Sequence, residues 1–345
     1  MKTTLIGFSL AALLATSVEA QAKRPDLEGN WTNATMTSQT RPPQYGVRLA
    51  LSADETAKLE GAAEAQIHKG NQKTDPNAPT VQDGTVGGYN RGFLDPGVRV
   101  MRVRGEPRTS LITTADGQIP KPRAGSKVTA AQVRAFAGSP YYLDQYGAAA
   151  LFGEDQQTAQ RFNNPEELSL ADRCLTSFGR NGPPPMMPNG FYNNNYSIVQ
   201  GSDAVVIIVE MVHDARVIRL GSRQHPPAAI RPWFGDSVGW YEGDTLVVET
   251  TNFPERQAWF GAWQDLRVTE RFKRAGKDRL GYSFTVEAPS VWEKPWGGEY
   301  EFAALQGQVY EYACHEGNYA MPGILAGSRA ADRAENTMKT ASGGN

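Results

Sequence analysis

Leu266-Arg267-Val268-Thr269-Glu270-Arg271-Phe272-Lys273-Arg274, followed after Gly276-Lys277-Asp278 by Leu280-Gly281-Tyr282-Ser283-Phe284-Thr285-Val286, decides the fold. Successive side chains on a strand point to opposite faces, so one apolar face here holds Leu266, Val268, Glu270 and Phe272. Arg267, Thr269, Arg271 and Lys273 take the other face. The second run puts Leu280, Tyr282, Phe284 and Val286 together. Two alternating runs around a Gly-Lys-Asp turn read as a hairpin with one face buried. One residue breaks the pattern, because Glu270 sits on the apolar face.

Working outward, the same rhythm fills the C-terminal half. Tyr196 to Gln200 pairs with Ala204 to Met211 across Gly201-Ser202-Asp203. Ala215 to Leu220 follows, then Trp240, the Glu242-Gly243-Asp244 turn and Thr245 to Thr251. Tyr300 to Ala304 and Gln308 to Cys314 read as the last strands. Short acidic turns between apolar strands suit an antiparallel meander of about eight to ten strands, which favours a barrel or a strongly curved sheet. No βαβ rhythm and no phosphate loop appears.

The N-terminal half differs. Residues 1–20 read as a signal peptide: Lys2 gives the charged start and Leu5 to Leu14 the apolar stretch, too short to span a bilayer. Residues 21–181 read as a helical and loop region that packs on the sheet, and 182–345 as the antiparallel β region, together one compact domain. Leu27 to Trp31 is a first short strand. Ser52 to Lys69 is a helix, with Ser52 and Glu55 as a capping box and Gly70 as its stop. Val98 to Val103 and Ser110 to Thr113 form a hairpin around Gly105-Glu106-Pro107-Arg108. The stretch from Thr129 to Gln160 is helical in pieces, and Asn164-Pro165-Glu166-Glu167 starts a helix through Asp172 or Cys174. The expected class is therefore mainly β with peripheral helices (α+β), as a curved antiparallel meander or a lipocalin-like barrel.

Formal charge is −2 with both signs interspersed, so no basic stripe marks a nucleic-acid partner. The reading implies a small-molecule substrate and no membrane insertion. Localisation is periplasmic or secreted. Two cysteines in an exported chain favour a Cys174–Cys314 disulfide, with a catalytic thiol as the weaker alternative.

Several polar groups are candidates for chemistry. A carboxylate on an apolar face has its pKa raised unless a cation answers it, so Glu270 is either a general acid or base or half of a buried ion pair with an arginine. Glu210, Asp214 and Arg216 share a face if their strand is regular, and a turn at His213-Asp214-Ala215 breaks that register. His213 is a candidate base oriented by Asp214 or Glu210, or else a turn histidine bonded to backbone. His315 follows the last strand in His315-Glu316-Gly317-Asn318-Tyr319 as a candidate acid, with a satisfied core histidine as the alternative. Asn194, Asn195, Tyr196, Arg216, Trp240 and Tyr312 are candidate substrate contacts. The asparagines equally suit turn caps. Trp233, Trp240, Trp259, Trp263, Trp292 and Trp296 line a pocket or cover a core. His225 reads as surface loop and His68 as solvated. No clustered cysteine and histidine spacing fits zinc, Glu210 and His213 would meet as a metal pair only on a helix, and no cofactor is implied.

The chain resembles a large group of exported bacterial proteins. The matching stretches are Tyr192 to Gln200, Glu210 to Leu220, Trp240 to Phe253, Thr269 to Phe272 and Tyr310 to Gly327, with Gly29-Asn30-Trp31 and Val86 to Asn90. That resemblance implies no activity. The hairpin style faintly resembles lipocalin-like (calycin) barrels. The expected function is an exported, cofactor-independent enzyme doing acid/base chemistry (lyase, hydratase or isomerase) on a hydrophobic or aromatic small molecule. The alternatives are a hydrolase of glycans or esters and a non-catalytic periplasmic ligand-binding protein.

Overall fold

The computed structural model describes residues 24–71, 73, 97–124, 126, 162–168, 170–177, 180–188 and 193–342. The signal segment, Val86 to Asn90, Thr129 to Gln160 and Tyr192 lie outside these residues. The strands in chain order are β1 (Gly29–Thr32), β2 (Arg102–Val103), β3 (Glu106–Pro107), β4 (Asn195–Gln200), β5 (Ala204–Val209), β6 (Ala215–Leu220), β7 (Asp236–Glu242), β8 (Thr245–Thr251), β9 (Arg267–Gly276), β10 (Arg279–Glu287) and β11 (Trp296–Ala304). Among these residues the α-helices are α1 (Ala53–Gly70) and α2 (Ala320–Ser342).

Nine strands close into one barrel in the order β1-β11-β10-β9-β8-β7-β6-β5-β4. Every neighbouring pair is antiparallel except β6 and β7, which are parallel. This exception follows from closure. Strand direction reverses at each antiparallel contact and must return to its start after a full circuit. An odd-numbered ring therefore needs a parallel contact. A parallel pair in turn needs a long crossover, supplied here by residues 221–235.

The register of the deciding hairpin agrees with its alternation. Glu270 pairs with Phe284 and Phe272 with Tyr282, and all four side chains face inward and are buried. The interior is filled rather than hollow. Tyr282 packs on Tyr300 at 4.8 Å and on Phe272 at 5.0 Å, and Tyr196 meets Phe302 edge-on at 5.4 Å. Small barrels fill with side chains in this way.

The short strand β1 belongs to the barrel and closes it, with Trp31 opposite both Tyr196 and Ala304. This overturns the expected strand at Gln308 to Cys314. Once β1 has taken the free edges of β4 and β11, no edge remains for another strand. Residues 305–319 instead run as turns and irregular chain. After them comes α2, which the sequence reading missed. Its start is capped by Asn318, whose Oδ1 accepts the Met321 N–H at 3.3 Å.

α1 has its expected capping box, and Arg48 and Ser52 hold the Glu55 carboxyl down at about 2. Glu60 on α1 is likewise held at about 2, first by Arg102 and then by the Val100 N–H and Arg99. Two expectations need correction. The N-terminal hairpin turns earlier, at Arg104-Gly105, where both residues adopt positive φ and allow a two-residue turn. The expected return strand, Ser110 to Thr113, lies across β11 instead, with Glu299 N–H on Leu111 O at 3.0 Å. Gly298 permits that approach, since a Cβ there would sit 2.6 Å from Leu111 O. The expected helix from Asn164 is a single turn, Pro165–Glu167, because the chain becomes extended at Leu168 to bury Leu168 and Leu170.

Candidate functional site

A polar spine runs through the barrel interior. Arg216 on β6 donates from Nη1 to Glu270 Oε1 at 3.0 Å and from Nη2 to Glu270 Oε2. Its Nε donates to Ser237 Oγ at 3.1 Å, and Nη2 also reaches Thr250 Oγ1 at 3.0 Å. Tyr282 Oη donates to Glu270 Oε1 at 2.8 Å and accepts the Met186 N–H at 2.9 Å. On the other side of Met186, its carbonyl accepts from Tyr300 Oη at 2.6 Å. Asn33 Nδ2 then donates to Tyr300 Oη at 3.2 Å and to Tyr196 Oη at 3.3 Å. Burial pushes the hydroxyl pKa values of Tyr196, Tyr282 and Tyr300 upward, so these groups stay protonated donors.

Met186 explains why the segment Arg180 to Pro188 is buried throughout. Its main chain threads into the barrel mouth and is bonded there by two tyrosine hydroxyls. Glu270 thus follows the ion-pair alternative left open by the sequence. It is 0% exposed, Arg216 is 2% exposed, and both carboxylate oxygens are bonded.

The expected catalytic set does not converge. Glu270 is inside the barrel, whereas His213 and His315 are exposed. Glu210 is buried but structural in its contacts: Oε2 accepts Asn195 Nδ2 at 2.7 Å and Oε1 accepts the Tyr310 N–H at 3.0 Å. Asn194 is fully buried and its Oδ1 accepts from Asn181 Nδ2 at 3.3 Å. Tyr312 is half-buried against the core. Trp240 is on the outer wall, stacked under Arg223 at 4.0 Å with its Nε1 on Glu242.

His225 is more than a surface-loop residue. It sits on the 221–235 crossover with Nδ1 2.6 Å from Asp236 and Nε2 3.2 Å from Glu249. It pins the crossover along the outer face of β7 and β8, and the outward-alternating Val238 and Val247 are 0% exposed there. Nothing in its local sequence marks this role, which depends on two carboxylates from neighbouring strands.

One expected group gathers the features of a reactive site. The β5–β6 connection breaks the register as its turn alternative required, with a tight helical turn at Met211–His213. Val212 has φ 62° and His213 φ 47°. A β-branched residue in the left-handed region is a genuine outlier, costing about 1–3 kcal/mol, and such strain clusters at functional sites. Directly after it comes Asp214. Burial raises its carboxyl to about 6, against smaller opposing effects of His213 and the Ser177 backbone N–H. Its Oδ2 is buried without a hydrogen-bond partner. The walls around this turn are stitched in place. Ser177 bonds Asp214, Cys174 is disulfide-bonded to Cys314 with Cα atoms 5.6 Å apart, and Tyr310 is held by Glu210. The disulfide is the expected pair.

Among the described residues, no cluster of three or more His, Cys, Asp or Glu side chains is arranged to hold a metal ion. Among the same residues, no helix is long and apolar enough to cross a membrane. Compared with known proteins, the chain matches no family model. Neither a curated protein nor a solved structure is significantly similar to it.

Proposed function

We propose that this protein is an exported enzyme that moves a proton on a small molecule bound at the Glu210–Asp214 turn. Asp214 is the exchanging acid or base, and His213 beside it is the second group. Lyase, hydratase or isomerase chemistry on a hydrophobic or aromatic substrate suits one carboxyl poised near neutrality, because proton transfer is efficient when the group's pKa lies near the working pH. One observation carries the reading: a half-buried carboxyl held at about 6, with an unbonded oxygen, on a strained turn of non-glycine residues. The scheme asks nothing of a cofactor. A periplasmic or secreted location is part of the same proposal and draws on the disulfide, a bond that persists in oxidising compartments.

The test is a panel of small aromatic and unsaturated substrates followed by ultraviolet absorbance, which reports a double bond made or lost. Asp214→Asn is expected to lower turnover by about 10²-fold or more, the usual contribution of a positioned acid or base. In the wild type, kcat/KM should show a limb near pH 6 that the variant lacks. Turnover and pH profile unchanged in Asp214→Asn would remove Asp214 from the chemistry.

A further inference from the structure

At the mouth of the barrel, three buried donors lack acceptors: Gln257 Nε2, Trp259 Nε1 and Trp296 Nε1. Each side chain is more than nine-tenths buried. A ring contact and the Arg180 guanidinium link the three residues. The Trp259 and Trp296 rings lie 4.9 Å apart. The Arg180 guanidinium stacks over Trp259 at 4.8 Å and donates to Gln257 O at 3.4 Å. Burying an N–H without an acceptor costs about 1–3 kcal/mol, so three on residues joined through one ring contact and Arg180 point to an acceptor that the protein itself does not supply. A water offers two lone pairs. A carboxylate offers about four, in a plane, and carries the charge that a neighbouring guanidinium favours.

We propose that this cluster binds the carboxylate of a small ring-bearing organic acid. Its oxygens accept from the two indole N–H groups and the Gln257 amide, with Arg180 supplying positive charge. Trp292, packed on Trp296 at 5.4 Å, extends the aromatic wall that takes the ring. One wall is the β8–β9 connection, which carries Trp259 on a two-residue turn at Phe260-Gly261 rather than on a barrel strand. The inference stands apart from the proton-transfer reading, since it concerns binding and involves none of the residues of the Glu210–Asp214 turn.

Benzoate is the probe, with benzamide, acetate and inorganic phosphate as comparators. Titration calorimetry should show saturable benzoate binding, at least tenfold tighter than benzamide or acetate. In the wild-type protein, benzoate should shift the indole Nε1–H signals of Trp259 and Trp296. The Trp240 signal is the internal control, because this indole lies on the outer wall with its Nε1 donating to Glu242 at 2.9 Å. Trp296→Phe and Gln257→Leu should each weaken benzoate about tenfold, the loss expected for one hydrogen bond to a charged group. Absence of saturable benzoate binding would overturn the proposal. So would equal binding of benzamide or phosphate, or benzoate binding that leaves both indole signals unmoved. The wild-type spectra decide the matter even if a variant fails to fold.

Discussion

Arg216 and Glu270 meet inside the barrel as a two-bond fork, although β6 and β9 that carry them are separated by two strands. Each charge is enclosed, and two further donors of the guanidinium end on Ser237 and Thr250. Such a pair is not a large net source of stability, because desolvation offsets much of its attraction. Removing one member, however, strands the other in a low-dielectric interior.

Glu270→Gln and Arg216→Met should therefore each destabilise the fold by about 3–5 kcal/mol. The double variant Arg216→Met, Glu270→Gln should cost less than the sum of the singles. Chemical denaturation of the four proteins forms the cycle that measures this coupling. Additive losses would mean that the two side chains act independently. If Asp214 rather than Glu270 moves the proton, whatever folded fraction of Glu270→Gln remains should keep the wild-type pH profile.

The disulfide joins residues separated by 140 positions and anchors the segment that follows the closed barrel. Chain-entropy reasoning gives about 5 kcal/mol for a loop of that length, an upper figure because unfolded chains retain structure. Cys174→Ser with Cys314→Ser should lower the denaturation midpoint. It should also expose residues 305–319 to proteolysis before the barrel unfolds, since that segment has no sheet edge to join. Limited digestion followed by mass mapping checks the order. Simultaneous cleavage in the barrel strands would contradict it.

What the sequence made legible was local. Alternation along Leu266 to Phe272 and Leu280 to Val286 assigned the inward faces correctly, Glu270 included, because a period of two needs no knowledge of neighbours. Ser52 and Glu55 marked the start of α1 for the same reason. Long-range features did not show. The answering cation for Glu270 lies three strands away in the sheet, and nothing near Arg216 says so. Closure by β1 removed the edge that Gln308 to Cys314 was expected to join. The burial of Arg180 to Pro188 depends on Tyr282 and Tyr300 bonding the two sides of Met186. Even at the candidate site, Asp214 was readable as a residue of interest, but the strain at Val212 and His213 that sets it apart is a property of the turn's geometry.

Asp214 links the site to stability in a direction opposite to most carboxylates. Its folded pKa, about 6, lies above the ordinary 3.8, so between those values the native state holds more protons than the unfolded state. Stability then falls as pH rises through that window, and the penalty is complete above it. A shift of about two units corresponds to roughly 3 kcal/mol at full burial, and screening of this half-exposed group reduces it to about 1 kcal/mol. Glu60 works the other way: its pKa is depressed to about 2, so its contribution is lost as pH falls. Comparing wild type with Asp214→Asn at each pH cancels Glu60 and isolates Asp214. The variant should be more stable by about 1 kcal/mol at pH 7 and equal to wild type near pH 3.5, read from guanidinium midpoints across that range. A pH-independent difference would show that the carboxyl does not titrate in the fold as described. A gain in stability at pH 7 accompanied by loss of turnover would mark Asp214 as a residue kept at a cost to the fold for its chemistry.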